Sequence, residues 1–112
     1  MASRLIVSKF GGSSCGNAQA YKRLGQYFGE EHAAGHRVVG VFSAMFAVTD
    51  RLLNAIQFAR DRDATGVATA RKQVWDLHAG TARELLVQKG NVQESLDWID
   101  HRLKECVHSI AV

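Results

Sequence analysis

The segment RLIVSKFGG, residues 4–12, contains the strongest indication of how the chain folds. Residues 4–10 are apolar on average and end at two adjacent glycines, which predicts a buried strand followed by a turn. Asn17 can then cap a helix that continues to Gly35, because apolar residues recur at helical spacing between them. A second apolar run at 38–43 has the length of a strand buried on both faces. Strand, helix and strand in this order predict a parallel pair joined by a right-handed crossover.

The rest of the chain predicts three helices. Thr49 or Asp50 can cap the first of them. Its apolar stripe consists of Leu52, Leu53, Ile56 and Ala59. The second helix is predicted over about 65–89, with Gly90 as its C-terminal stop, and Asn91 opens the third.

Near-heptad spacing runs through the last two of these helices. In the second helix it involves Val67, Ala70, Val74, Leu77, Thr81 and Leu85. In the third it involves Val92, Leu96, Ile99, Leu103, Cys106 and Ile110. Steps of four and three predict two facing helices, a hairpin. We interpret the spacing as a core stripe rather than an intermolecular coiled coil, and we place Trp75 and Trp98 beside it.

Composition narrows the class of protein. The chain has 112 residues, 46% hydrophobic and 22% charged, without proline, which is typical of one globular domain. Its net charge is +3, and its basic residues are interleaved with acidic residues, so nucleic acid is not expected as a partner. Cys15 and Cys106 have no metal-ligand spacing, and no apolar stretch approaches the roughly 20 residues that span a bilayer. These features predict a cytoplasmic protein that does not bind membranes.

KFGGSS, residues 9–14, falls between the first predicted strand and the first predicted helix. Two adjacent glycines let the backbone approach a bulky anion, and the N–H groups of such a turn suit phosphate. Lys9 would add positive charge opposite a transferring phosphoryl group. The pattern is neither a Walker loop nor a dinucleotide fingerprint. A tight turn with Lys9 facing solvent explains the same residues.

SAMFAVTD, residues 43–50, also follows a strand and precedes a helix. In a parallel sheet it would lie at the same carboxyl edge as the glycine turn, where ligands bind. Ser43 and Thr49 offer hydroxyl groups to a polar substrate. They also fit a turn residue and a helix cap, and both interpretations can hold at once.

Two further candidates come from local patterns. His101, Glu105 and His108 share one helical face and could present metal ligands, but a solvated face explains them better, so we assign no metal site. Cys15 adjoins the glycine turn near a helix start, where a thiol can become reactive; the alternative is a small apolar filler.

The two motifs together, in this order and each after a strand, resemble the beginning of an aspartokinase of the amino-acid kinase superfamily. The resemblance implies an α/β fold, namely part of a three-layer sandwich with parallel strands, a crossover helix and a following helical hairpin. It implies a catalytic role for Lys9, which helps neutralise the transferring phosphate of ATP. It implies a phosphate-binding segment made of Lys9, Phe10, Gly11, Gly12 and Ser13. It implies that Ser43 and Thr49 hold the substrate aspartate, with ATP and Mg²⁺ as cofactors.

The chain also departs from the family pattern. The family often has a glycine before its Val-Thr or Ile-Thr pair, whereas this chain has Phe46-Ala47. The family's Gly-Glu motif, its later glycine-rich segment and its regulatory domains are missing from these 112 residues. The resemblance therefore implies that residues 1–112 are the N-terminal portion of an incomplete catalytic domain, inactive alone, and either a homo-oligomer or a partner of the missing portion. A non-catalytic assembly subunit, or an anion-binding module with a vestigial phosphate loop, is the alternative.

Overall fold

The computed structural model describes residues 2–87 and 89–110. The chain divides into two compact units, Met1–Phe46 and Ala47–Val112. The first contains β1 (Leu5–Phe10), a 3-10 turn (Gly12–Cys15), α1 (Ala18–Ala33) and β2 (Arg37–Phe42). The second contains α2 (Val48–Arg60), α3 (Ala64–Leu85) and α4 (Lys89–Ile110). The predicted α/β class, with parallel strands, a connecting helix and a helical hairpin, is confirmed.

Strand β1 pairs with β2 in parallel, in a register that places Leu5 beside Arg37 and Phe10 beside Phe42. Local signals fix the connecting helix as predicted. The Asn17 side chain accepts a hydrogen bond from the Ala20 N–H at 2.9 Å and so caps α1. Gly35, with φ 85°, follows the helix in the left-handed conformation that glycine adopts without strain.

The two faces of this strand pair differ in exposure. Residues Ile6, Ser8 and Phe10 alternate onto the face toward α1, where the Ser8 and Tyr27 hydroxyl groups lie 3.0 Å apart. The opposite face is exposed at Leu5 (58%), Val7 (65%), Val39 (48%) and Val41 (48%). The prediction that the second strand is buried on both faces is therefore wrong. Side chains alternate along a strand, and within this unit α1 packs against one face only.

Four aromatic rings form a cluster, here called the aromatic core, between the strands and α1; three of them are half-buried, and Phe42 is 47% exposed. Phe10 stacks on Phe42 at 5.3 Å between centroids and meets Tyr27 and Phe28 edge-on at 6.0 and 5.7 Å. Gly40 makes room for this cluster, because a Cβ there would lie 2.6 Å from the Phe42 ring and 2.7 Å from the Phe28 ring. The glycine inside this strand is therefore required by close packing.

Helix α2 begins and packs differently from the prediction. Thr49 and Asp50 lie inside its first turn, and the residue before the helix is Ala47, with φ 67° and no side-chain cap. The buried side chains of α2 are Val48 and Ala55, whereas Leu53 of the predicted apolar stripe is 58% exposed. Only part of the predicted stripe is covered, because Leu52 and Ala59 are half-buried while Ile56 is 42% exposed.

Helices α3 and α4 form the predicted hairpin within the second unit. Ala79, Ala82 and Leu96 are buried together, with Trp75, Leu86 and Val92 packed around them. Trp98, predicted beside the same seam, is 61% exposed, with the Arg102 guanidinium 5.2 Å from its ring centroid. Small residues dominate the buried positions of α3 because helices pack on it from two sides, α2 and α4.

The boundary between α3 and α4 also differs from the prediction. Helix α3 ends at Leu85, and Gly90 lies inside α4 rather than stopping the preceding helix. Leu86 turns the backbone to an extended conformation, with ψ 121°, and packs against the Ala79 cluster. Helix α3 therefore ends before Leu86, which makes an apolar contact, and not at Gly90, which the sequence pattern predicted as its stop.

Replacing Gly40 by Ala should destabilise the first unit by about 1–3 kcal/mol, because the added methyl group overlaps two aromatic rings. Hydrogen exchange at the β2 amides measures the effect. Gly29→Ala is the matched control: an added Cβ meets nothing within 4 Å in α1, so helix propensity should stabilise by up to about 1 kcal/mol. Equal effects of the two substitutions would contradict the packing role of Gly40.

Asp100 links α4 to α3 and should make stability depend on pH. Its carboxylate accepts from Lys104 at 2.9 Å and from Arg71 of α3 at 2.7 Å. These hydrogen bonds lower the pKa of Asp100 below its ordinary value of 3.8. Because the pKa of Asp100 is lower in the folded state, its carboxylate stabilises the fold. This stabilisation is complete at pH values above the ordinary pKa and is lost as the pH falls through the folded-state pKa.

Asp100→Asn should therefore lower the melting temperature at neutral pH, and the difference from the unsubstituted chain should shrink in acid. Asp76→Asn is the control, because Asp76 pairs with Lys72 of its own helix at 2.6 Å and links no second element. Melting curves between pH 2 and pH 7 measure both variants. A difference for Asp100→Asn that stays constant down to pH 2 would rule out the pH-dependent link.

Candidate functional site

The glycine turn follows β1 directly but does not lead straight into α1. Gly11 is extended, with φ −83° and ψ −179°, and Gly12–Cys15 then form a 3-10 turn in which the Ser14 N–H donates to the Gly11 carbonyl at 3.0 Å. Helix α1 starts only at Ala18, with Asn17 capping it. The turn after the strand and the start of α1 at the Asn17 cap agree with the prediction, whereas the 3-10 turn between them was not predicted.

Neither glycine of this turn is required by the chain's own structure. Neither uses a positive φ, and a Cβ added at Gly11 or Gly12 would meet nothing within 4 Å. Gly11 and Ser13 are exposed, and Gly12 is half-buried. The missing side chains therefore leave open space beside the backbone that the described residues do not fill.

Lys9 occupies the last-but-one position of β1, on the face opposite α1. It is exposed, and none of the ion pairs formed by the described residues includes it. Phe10, which the resemblance places in the same phosphate-binding segment, points instead into the aromatic core. The exposed Lys9 side chain can therefore contact a ligand, whereas the Phe10 side chain would first have to leave the aromatic core.

Ser43 lies at the same edge of the sheet as the glycine turn. It follows β2, and its N–H donates to the Phe10 carbonyl at 3.0 Å, so its backbone adjoins the residue after Lys9. Ser43 is exposed. The first and second motifs thus leave neighbouring parallel strands at their carboxyl ends, as predicted.

Thr49 belongs to the second unit, where it is an exposed residue in the first turn of α2. It does not cap the helix, because Ala47 takes that position with a left-handed backbone. That conformation is one that glycine adopts most readily. The turn before the Val-Thr pair therefore has a left-handed backbone at Ala47.

Cys15 is fully buried, which favours its interpretation as a small apolar filler rather than a reactive thiol. Tyr21 is its polar neighbour. Burial raises the pKa of the Tyr21 hydroxyl, and the adjacent Cys15 thiol raises it further. Neither group faces the glycine turn as an exposed nucleophile.

On α4, the predicted cluster of possible metal ligands forms ordinary ion pairs. His101 Nε2 lies 3.2 Å from a Glu105 oxygen, and Arg102 contacts the other oxygen at 3.1 Å. Across residues 2–87 and 89–110, no three acidic, His or Cys side chains are grouped to hold a metal ion. Within the same ranges, no helix has the length and apolar character needed to cross a membrane.

One feature of the second unit belongs to neither motif. A cavity of about 460 Å³ opens between the end of α2, the turn that follows it, α3 and α4. Its walls come from residues as far apart in sequence as Ala59 and Val107, so no local pattern indicates it. One of the lining residues, Arg62, lies two positions after the end of α2 and has φ 58°, which is uncommon for a residue other than glycine.

Comparison with known proteins agrees with the two motifs. No family model matches the chain. The aspartokinase of Helicobacter pylori (strain ATCC 700392 / 26695) is 47% identical over 49 residues, which cover 44% of this chain and 12% of that protein. The aspartokinase of strain J99 matches at the same identity and coverage. The chloroplastic bifunctional aspartokinase/homoserine dehydrogenase 2 of Arabidopsis thaliana is 35% identical over 80 residues, 71% of this chain and 8% of that protein.

These matches concern a small part of each relative, since the chain spans about a tenth of the length of these proteins. All of them carry aspartokinase in their names. The resemblance drawn from the glycine turn and the Ser43 segment is confirmed: this chain is homologous to aspartokinases and fits a partial aspartokinase sequence.

Proposed function

We propose that the chain is the N-terminal portion of the catalytic domain of an ATP-dependent aspartate 4-kinase, which supplies the first step of lysine, threonine and methionine biosynthesis in the cytoplasm. One observation carries this proposal: the Lys9–Gly12 segment and Ser43 leave two hydrogen-bonded parallel strands at the same edge. Ligands of open α/β sheets bind at such edges. The similarity to aspartokinases gives the reaction class.

In the proposed reaction, a side-chain carboxylate oxygen of aspartate attacks the γ-phosphorus of ATP. The bond from that phosphorus to the β–γ bridging oxygen breaks, and ADP leaves. Negative charge spreads over the phosphoryl oxygens, where Lys9 and Mg²⁺ would neutralise it. The unpaired, exposed Lys9 supports this role, because no acidic partner among the described residues competes with phosphate.

The glycine turn would bind phosphate through its backbone. Open space beside Gly11 and Gly12 lets phosphate oxygens approach the N–H groups of Gly12 and Ser13. Ser43 is our candidate in the first unit for binding the substrate aspartate through its exposed hydroxyl group, and Thr49 is a separate candidate for this role in the second unit. Phe10 contributes through its backbone and its place in the core.

Phosphoryl transfer depends almost wholly on the positioning of the reactants and on charge. We therefore propose that these 112 residues bind phosphate groups but do not catalyse phosphoryl transfer. The resemblance to aspartokinases assigns no residue of this chain to the base pocket or to the substrate-binding carboxylate. A coupled assay of ADP release with aspartate and Mg²⁺ should accordingly give no turnover. Robust turnover that disappears in Lys9→Ala would show that the chain suffices and contradict this part of the proposal.

MgATP added to the labelled chain should shift the backbone amide resonances of residues 9–14. Lys9→Ala should weaken this binding about tenfold, the cost of losing a hydrogen bond to a charged group. Gly12→Ala should weaken it as well while leaving the fold intact, since an added Cβ meets no atom within 4 Å. Lys22→Ala, another exposed lysine in the first unit, is the control. Shifts absent from residues 9–14, or equal losses for Lys9 and Lys22, would refute the phosphate site.

A second candidate function, an assembly module, is favoured by the exposed apolar face of the sheet. Leu5, Val7, Val39 and Val41 lie together on it and are 48–65% exposed. We propose that a second copy of the chain covers this face, because burial of contiguous apolar area drives association. Light scattering at high concentration should give a mass above that of the monomer, and Val7→Lys should return it to the monomer. A monomer at every concentration would exclude this mode of assembly.

A further inference from the structure

The cavity of the second unit is an open groove whose lining residues are half-buried or exposed, and its size and mixed lining are compatible with a small molecule. Its lining includes the apolar side chains of Ala59, Ala64, Val67 and Val107 together with Arg62 and Arg71. Its volume of about 460 Å³ lies within the roughly 300–1,000 Å³ that ligand pockets occupy. We propose that it binds a small amphipathic monoanion, a carboxylate with an apolar aliphatic or aromatic body.

The walls select the apolar body of this ligand. Alanine and valine side chains from three helices line the cavity and offer no hydrogen-bonding group. A purely polar ligand would lose water contacts there without replacement, whereas an apolar chain would gain by leaving water. The short alanine side chains leave the space that a ligand of this kind would fill.

The charged residues around the cavity favour a ligand with one negative charge. Asp63 also lines the cavity and keeps its negative charge while its Oδ1 accepts the Gly66 N–H at 2.8 Å. Three basic residues, Arg62, Arg71 and Lys104, stand against two acidic ones, Asp63 and Asp100, so the local net charge is +1. Arg71 is committed to Asp100 at 2.7 Å. Arg62 is exposed, and none of the ion pairs of the described residues includes it. A carboxylate can therefore take two parallel hydrogen bonds from the Arg62 guanidinium without displacing a partner.

The backbone of Arg62 supports a role for its side chain. After α2, the Arg62 N–H donates to the Ala59 carbonyl and the Asp63 N–H to the Phe58 carbonyl, which is a Schellman turn. The same bonds follow α1, where the residue in the corresponding position is Gly35. Arg62 adopts φ 58° at this position, a left-handed conformation that strains a residue with a Cβ and that glycine adopts without strain. The chain thus holds a guanidinium at the cavity where its own turn favours glycine.

Hexanoate is the probe, with hexylamine of the same length and opposite charge as its counterpart. Titrated into the labelled chain, hexanoate should shift the amide resonances of Ala64, Val67 and Ala68, and hexylamine should bind at least about tenfold more weakly. Arg62→Gly should weaken hexanoate about tenfold, the loss of a charge-assisted hydrogen bond, and should leave the melting temperature unchanged or higher. Retained folding separates a lost ligand contact from a damaged turn.

Two further variants test the position of the site. Arg60→Gln removes an exposed arginine that does not line the cavity, and hexanoate affinity should stay within about twofold. Ala68→Leu places a larger side chain in the cavity from an exposed position and should abolish the shifts while the chain stays folded. Equal binding of hexanoate and hexylamine, equal losses for Arg60→Gln and Arg62→Gly, or no shifts at all would overturn the proposal.

Discussion

The register of the β1–β2 pair is the constraint on which the first unit depends. It places Phe10 beside Phe42 on the face that α1 covers, where Tyr27 and Phe28 complete the aromatic core. Lys9, one residue earlier, must then face the other way. A shift of one residue would turn Phe10 out of the core and exchange the two faces. The core and the exposed position of the candidate phosphate-binding lysine are therefore specified by the same pairing.

Sequence reasoning located the elements of this unit because their signals are local. Asn17 accepts from a backbone N–H three residues on, and Gly35 takes a conformation that other residues avoid, so both ends of α1 follow from neighbouring residues. The prediction that β2 is buried on both faces was wrong because burial does not depend on local signals alone. An apolar run shows that a strand can be covered, but the number of covering layers depends on distant parts of the chain. Val39 and Val41 are apolar and still half exposed.

The second unit shows where local signals lose to packing. Thr49 and Asp50 are favoured cap residues, yet α2 begins before them, at a turn formed by Ala47. Leu86 rather than a glycine ends α3, because its side chain packs on the hairpin core. For the candidate site, the motif residues 9–13 could be found because they are contiguous and follow a strand. The cavity could not be found, because helices distant in sequence build its walls.

Helix α2 has a non-glycine residue with positive φ near each end. The backbone strain of these two residues is compensated by different interactions. Each of the two conformations costs about 1–2 kcal/mol, and such strain persists only where other interactions outweigh it. Ala47 is half-buried and leads directly into Val48, which is buried, so burial of apolar side chains compensates for the strain of that turn. Arg62 is exposed, and its side chain has no ion-pair partner among the described residues. The backbone hydrogen bonds of its turn would form equally well with glycine, as they do at Gly35. What an arginine adds at this position is a positive charge beside an apolar cavity, and an anion from outside the chain is the partner that such a charge lacks.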